Sequence, residues 1–330
     1  MNTEKNTGEA FLPGHTPPPW KFLKQDAKGL GLCAVGVARA KQVPKVSMYT
    51  FDNWLRNGAH SGMNYMERWK EQRFDPRHLG VVAGADVVIC VAMPYGEGAA
   101  KGGLWDYVSN HARGIDYHTT LKKKLRVLQE KIREQFPDAR SRCFVDSGPI
   151  LERTWAMIAG VGTIGKSGML IVPGTGPSVV LGEIVCAAVP IPTFSASLSP
   201  QFKDCLECRR CIDACPTGAI IKPGIVDARR CLAYHSIENQ TSKVDAEISD
   251  SMRLVFGCDE CVSVCPQQSD TAFSCLEPLP TEGLCNVTLR SIVTMNTEKF
   301  QQQLKGTGLA RTGAKTIQRN ARLILRHTRS

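Results

Sequence analysis

Eight cysteines between positions 205 and 265 carry the clearest chemistry in the sequence. Cys205, Cys208, Cys211 and Cys215 stand in the spacing C-x2-C-x2-C-x3-C, followed by Pro216. Cys258, Cys261 and Cys265 form a second run, C-x2-C-x3-C, followed by Pro266, and Cys231 lies between the two. The first run is the bacterial ferredoxin arrangement for cubane 4Fe–4S clusters. Three closely spaced thiolates reach one cluster, and the fourth, before proline, reaches the other. By that crossover Cys205, Cys208, Cys211 and Cys265 hold cluster one. Cys215, Cys258, Cys261 and, completing the four, Cys231 hold cluster two. Pairs of the form C-x2-C also make zinc sites, but a tetrahedral zinc takes four ligands, and here eight arrive in ferredoxin order. Two clusters at adjacent spacing form an electron path, and such a path implies an end where chemistry is done. The other six of the 14 cysteines (Cys33, Cys90, Cys143, Cys186, Cys275 and Cys285) are scattered and read mainly as small buried hydrophobes.

A second motif invites a different chemistry. Gly160-Val161-Gly162-Thr163-Ile164-Gly165-Lys166-Ser167 fits the phosphate-loop pattern G-x4-G-K-[ST]. That loop works only between a preceding strand and a following helix, whose N-terminus meets the phosphate. The sequence reads the other way, with a helix ending at Ala159 and a strand over Met169–Val172, so ATPase and dinucleotide chemistry are set aside. A glycine loop leaving a helix still lets backbone come close to some other large ligand.

These residues must be positioned by a chain of 330 residues, which suggests two domains. Apolar residues make up 42% and charged residues 22%, enough to build a core and to exclude disorder as the main state. No uninterrupted run of 18 apolar residues occurs. The best stretch, Gly80–Met93, is broken by Asp86, which rules out a membrane span. Met1–Trp20 lacks the features of a secretory signal, so a cytoplasmic location is expected. Helices are expected over Trp20–Leu30, over Phe51–Trp69 with a break at Gly58–Gly62, over His118–Phe136 and over Pro149–Ala159. In the third, Leu121, Leu125, Leu128, Ile132 and Phe136 share a face. Strands are expected over Cys33–Ala38, Asp86–Ala92, Arg142–Val145, Met169–Val172 and Ser178–Cys186. This alternation indicates an α/β layer structure, and the Cys-, Pro- and Gly-rich character after Pro190 marks a second unit. The expected divisions are a disordered leader (1–19), an α/β cofactor and substrate domain (20–195), a two-cluster ferredoxin-like domain (196–285) and a basic helical tail (286–330).

The tail has its own signature. Lys plus Arg exceeds Asp plus Glu by 41 to 31, and seven of the resulting +10 fall in residues 301–330, which contain no acid. Arg311, Lys315, Arg319, Arg322 and Arg326 recur at spacings of four, four, three and four, as one stripe of a helix would. A basic stripe is the electrostatic footprint of nucleic-acid binding. A solvated terminal helix is the plainer alternative.

Assembled, these segments resemble the epoxyqueuosine reductases and, more distantly, the cobalamin-dependent reductive dehalogenases. The resemblance runs from about Trp20 to the C-terminus. It is carried by Trp54–Arg68 (WLRNGAHSGMNYMER), Asp75–Pro94 (DPRHLGVVAGADVVICVAMP), Ala112–His118 (ARGIDYH), Val145–Arg153 (VDSGPILER), Ala159–Ser167 (AGVGTIGKS) and Asp227–Cys231 (DARRC) with the cluster cysteines. Thr163 and Gln267 stand where the family usually has Trp, and many members continue into a helical-repeat domain.

The resemblance implies an α/β N-terminal cobalamin-binding domain of nitroreductase-like or reductive-dehalogenase-like fold. A C-terminal bacterial ferredoxin-like α+β domain with two 4Fe–4S clusters would follow. It implies removal of the epoxide oxygen of a modified tRNA wobble base. Cobalamin would receive electrons from the clusters, and an unidentified donor such as ferredoxin or flavodoxin would supply them. Asp146 matches the family's acid. An epoxide opens only as its oxygen is protonated, so this acid is expected to have a raised pKa. Tyr117 and Arg153 are expected beside it, and Gly160, Gly162, Gly165, Lys166 and Ser167 against a cofactor. The sequence D-x-H-x-x-G is not completed after Asp116-Tyr117-His118, so no histidine ligand to cobalt is expected. The competing functions are a related small-molecule reductase and an electron carrier without catalysis.

Overall fold

Three apolar, valine-rich runs and one short polar one, Arg140–Phe144, become the strands of a four-stranded antiparallel sheet. These are β1 (Ala34–Arg39), β2 (Val87–Pro94), β3 (Arg140–Phe144) and, after the small hairpin of β4 (Thr163–Ile164) and β5 (Leu170–Ile171), β6 (Val179–Ala187). The order is β1-β2-β6-β3. The computed structural model describes residues 13–96, 100–192, 204–269, 275, 277 and 284–327.

β2 and β6 are buried at every position because both sheet faces are covered, which is why they read as continuous apolar runs rather than alternating ones. On one face the helices Phe22–Gly29 and Tyr117–Gln135 pack with Leu121, Leu125, Leu128 and Ile132 fully buried. The helices Lys45–Arg56 and Glu152–Ile158 cover the other, with Trp155 at its centre. Residues 13–15 run along the outer edge of β1. The amides of Val35 and Val37 donate to the carbonyls of Pro13 and His15 at 3.1 and 2.7 Å. Of the expected leader, residues 13–19 thus belong to this layer, and residues 1–12 lie outside the described residues.

The cluster segment is built from short pieces: helices Arg210–Asp213 and Glu260–Ser263, and a hairpin of β7 (Ile220–Lys222) and β8 (Ile225–Val226). A third core pools Leu104, Trp105 and Val108 with Phe256 and with Leu289, Phe300, Ile317 and Ile324 of the C-terminal helices. Divisions near 195 and 285 therefore mark changes of composition, and the third core crosses both of them.

The basic stripe is split by this packing. Arg311 belongs to the helix Gly308–Thr312, and the other four cations belong to Ala314–His327, with Gly313 between at φ +90. Lys315, Arg322 and Arg326 are exposed. Arg319 is 8% exposed. Its guanidinium donates to the carbonyls of His235, Asn239 and Thr241 and to Asn320 Oδ1. Removing it leaves buried carbonyls unpaired, each a loss of roughly 1–3 kcal/mol, so Arg319→Ala is expected to cost at least about 2 kcal/mol. Lys315→Ala should stay within about 0.5 kcal/mol. Urea denaturation of the two variants checks this.

Candidate active site and cluster cradle

The glycine motif emerges where the helix Glu152–Ile158 ends and the β4–β5 hairpin begins, in the helix-then-strand order that excludes a phosphate loop. Its last residues form one wall of a recess lined by cysteines. Cys205, Cys208, Cys211 and Cys265 line a recess together with Gly165, Lys166 and Ser167. The Lys166 amide donates to Cys205 Sγ at 3.4 Å, and its ammonium donates to the carbonyls of Leu206 and Cys208. A Cβ at Gly165 would lie 2.7 Å from Ile171 Cδ1, the end of a side chain that can turn aside, and in ordinary contact with Cys205 Sγ at 3.6 Å, so the loop backbone runs close against the cysteines. Gly162 has a different reason to be glycine, since a Cβ would strike the Ile171 carbonyl.

The second set of thiols is Cys215, Cys231, Cys258 and Cys261. Burial pushes Cys258 and Cys261 up to about 12, and neighbouring thiols in the set add to it. The Ala219 amide donates to Cys215 Sγ at 3.2 Å. Among the described residues no three His, Cys, Asp or Glu side chains converge closely enough for a single metal ion. The first set rings a volume instead, as a cubane requires.

The expected acid lies at a seam where distant stretches of chain meet. Asp146 sits in the turn after β3 at φ +55, with its side chain 54% exposed. His118, at the start of the helix Tyr117–Gln135, approaches Asp146 Oδ2 through Nε2 at 3.1 Å, and its Nδ1 lies 2.6 Å from Asp116 Oδ1. Arg311 reaches in from the C-terminal helices, with a guanidinium nitrogen 2.8 Å from the same His118 Nε2. Tyr117 stacks on His118 at 4.0 Å between ring centroids. Arg153 turns the other way and donates to the Gly168 carbonyl at 2.7 Å, steadying the glycine loop.

The electrostatics differ from the expectation of a raised Asp146. Burial works to raise it, but the His118 hydrogen bond and the charges of His118 and Arg311 hold it below the usual carboxylate value. His118 is opposed by burial yet raised by Asp116 and Asp146. The carboxyls that keep their protons lie behind it. Glu152 Oε1 accepts the Asp146 amide at 2.5 Å, and burial together with the Asp146 charge pushes Glu152 up to about 8. Glu183 is fully buried in the middle of β6, and neither of its oxygens has a partner among the described residues. Burial, Glu152 and Asp146 push it well above the ordinary glutamate value.

Sequence reasoning did not single out His118 as an Asp146 partner, Glu152, Glu183 or the placement of Arg311. A carboxylate in the apolar run Val179–Ala187 was the available signal for Glu183.

An antiparallel α/β layer joined to a double-cluster segment, with titratable groups gathered at the seam, defines an iron–sulfur oxidoreductase. Residues 204–268 match the family model for a 4Fe-4S double cluster binding domain. Residues 73–147 match that of epoxyqueuosine reductase QueG, DUF1730. An epoxyqueuosine reductase from Gloeobacter violaceus is 33% identical over 317 residues, covering 92% of this chain and 94% of the relative. The Synechocystis sp. enzyme of that name is 36% identical, covering 82% and 92%. The chain belongs to the epoxyqueuosine reductase family. A crystal structure of an epoxyqueuosine reductase with an epoxyqueuosine-modified tRNA stem loop superposes with a TM-score of 0.80 at 26% identity, covering 93% of this chain and 80% of that one. The Bacillus subtilis enzyme, solved with its catalytic loop swung out of the active site, gives 0.79 at 26% identity, covering 93% and 81%.

Two predictions follow from these geometries. Glu152 and Glu183 retain protons in the fold that the unfolded chain gives up near pH 4–5. The native state therefore loses stability as pH rises from about 4.5 towards 8. Urea titrations should find Glu183→Gln more stable than wild type at pH 8 and nearly equal to it at pH 4. Iron removal, in turn, deprives residues 204–268 of their coordinating centres. Hydrogen exchange should then accelerate in that segment, while β2 and β6 stay protected.

Proposed function

We propose that this chain converts epoxyqueuosine in tRNA to queuosine, with electrons passing through two 4Fe–4S clusters to a bound cobalamin. The carrying observation is the seam itself. Tyr117, His118, Asp146 and Arg311 meet there, in a chain that also gathers Cys205, Cys208, Cys211 and Cys265 around one recess and is aligned with epoxyqueuosine reductases over almost its whole length. Removing an epoxide oxygen to leave an alkene consumes two electrons and two protons and releases water. A carrier without catalysis would need neither the α/β layer nor the seam.

The thiol sets fit the clusters, and Gly165, Lys166 and Ser167 are assigned to contact with cluster one. For cobalamin the relevant test is the spare histidine. Both His118 nitrogens are engaged, so the run Asp116-Tyr117-His118 suits a cobalamin that takes no histidine from it. Tyr117, Asp146 and Arg311 would face it, and bound cobalamin would supply a strongly reducing cobalt centre. Asp146 is assigned as the acid at the epoxide oxygen, reached when its carboxylate has taken up a proton. Tyr117, stacked on His118, is assigned to the same site. Arg153 supports the glycine loop.

The tRNA phosphates are assigned to Arg311, Lys315, Arg322 and Arg326, with Arg319 held in the interior. Cytoplasmic location accords with a tRNA substrate, and among the described residues no helix is long and apolar enough to cross a membrane. A ferredoxin or flavodoxin is the proposed class of electron donor.

Anaerobic reconstitution should yield about eight irons, following from two cubane clusters, and about one cobalt per chain. The loaded enzyme should convert an epoxyqueuosine-bearing anticodon stem loop. Iron without cobalt and without turnover would replace this reading by the electron carrier. Asp146→Asn is expected to lower kcat by about 10²–10⁴-fold while leaving stem-loop affinity nearly unchanged. Replacing Lys315, Arg322 and Arg326 together by Ala should weaken binding of all tRNAs alike and flatten the salt dependence by about one unit of slope per lost phosphate contact.

A further inference from the structure

Resting on the proposed reaction, the proton balance raises a question that the seam geometry answers. Two protons are consumed in each turnover, and one carboxylic acid carries one. Asp146 must therefore be reloaded, and in this structure its carboxyl is held in the ionised form.

His118 Nε2 has two neighbours that cannot be satisfied at once. Asp146 Oδ2, at 3.1 Å, can only accept a proton from it, whereas the Arg311 guanidinium, at 2.8 Å, can only donate to it. Protonated Nε2 donates to Asp146; bare Nε2 accepts from Arg311. The other nitrogen keeps one role throughout, with Nδ1–H donating to Asp116 Oδ1 at 2.6 Å. The site thus stabilises both states of a single nitrogen without rotating the ring.

We propose that His118 is a proton-relay residue that reloads Asp146: the Nε2 proton passes to Asp146 Oδ2, and the Arg311 N–H closes on the nitrogen left bare. Solvent then returns a proton to Nε2 and the imidazolium forms again. No electrons move in the step, and the charge lost by His118 neutralises Asp146. His118 acts through Asp146 and does not itself touch the epoxide. The groups that face it are Asp116 and Tyr117 on its own element, Asp146 and Glu152 from the turn and helix after β3, His111 from the preceding loop, and Arg311 from the C-terminal helices. The two aspartates favour its charged form and Arg311 opposes it. His111 is pushed down to about 4 by burial and stays neutral beside it.

The test uses reconstituted holoenzyme and the modified stem loop. His118→Ala should lower kcat at least 10-fold with KM changed less than about twofold, the lower bound lying below the usual worth of a proton-transfer group. Added imidazole should restore part of the rate. In the wild type the rate should fall on the alkaline side as His118 loses its proton. Asp116→Asn keeps the shape of the buttress but removes its charge, so that alkaline limb should move to lower pH. Wild-type kcat in His118→Ala, a loss that imidazole does not rescue, or an unmoved limb in Asp116→Asn would each overturn the relay.

A nitrogen-15 histidine NMR titration separates this from the reaction assignment. If wild type does not reduce the stem loop, the reaction assignment fails. The relay still stands if the resonance missing from His118→Ala titrates above 6.5 and drops in Asp116→Asn, and falls if it titrates below 6.5.

Discussion

Iron–thiolate coordination is the constraint from which the C-terminal half takes its form. Between residues 204 and 268 the regular elements are mostly helices of four to six residues and a hairpin of two short strands, too brief to persist alone. Without iron, burial and mutual proximity favour neutral thiols. Coordination makes them thiolates and ties two distant runs of sequence to common centres. The crossover then dictates the rest. Cys265 must return to the recess of Cys205, Cys208 and Cys211, which brings the second run beside the first and the glycine loop against both.

That arrangement places the seam. The cluster segment is joined to the α/β layer by specific bonds: Trp54 Nε1 to the Val226 carbonyl, the Ala228 amide to the Ala59 carbonyl, and the Gly62 amide to the Tyr234 hydroxyl. The C-terminal helices pack on the same segment and carry Arg311 into contact with His118, 193 positions away in sequence. No single stretch of chain contains the site. The group Asp116, His118, Asp146 and Arg311 comes from three of them, and its two carboxylates offset the repulsion between Arg311 and a protonated His118.

The legible parts of the sequence were those fixed by periodicity or by covalent reach. The five expected strands appear within about two residues, and Leu121, Leu125, Leu128 and Ile132 lie in the core as their spacing required. The gathering of Cys205, Cys208, Cys211 and Cys265 around one recess also matches their spacing. Illegible were properties set by neighbours far away in the chain. Asp146 was expected to hold its proton, but its pKa depends on an arginine that only tertiary packing brings near. Arg319 continued a basic stripe by spacing, yet the helix Ala314–His327 turns that position inward, where three carbonyls replace water. Glu183 interrupts an apolar strand, and whether such a residue is an edge or an interior feature is decided by strand order.

The strand of backbone at residues 13–15 gives the sheet a property that the seam does not. β1 is an outer strand, and its outward amides at Val35 and Val37 would otherwise offer a template for another chain. Pro13 and His15 occupy them, while Gly14, at φ +116, lies so close to the Val35 carbonyl that any side chain there would strike it. At the opposite border β3 carries Arg140 and Arg142, charges that discourage strand addition. The sheet is closed to intermolecular pairing at one border by its own backbone and at the other by electrostatic repulsion, so colloidal behaviour, as distinct from catalysis, rests on Pro13–His15 at one border and on Arg140 and Arg142 at the other.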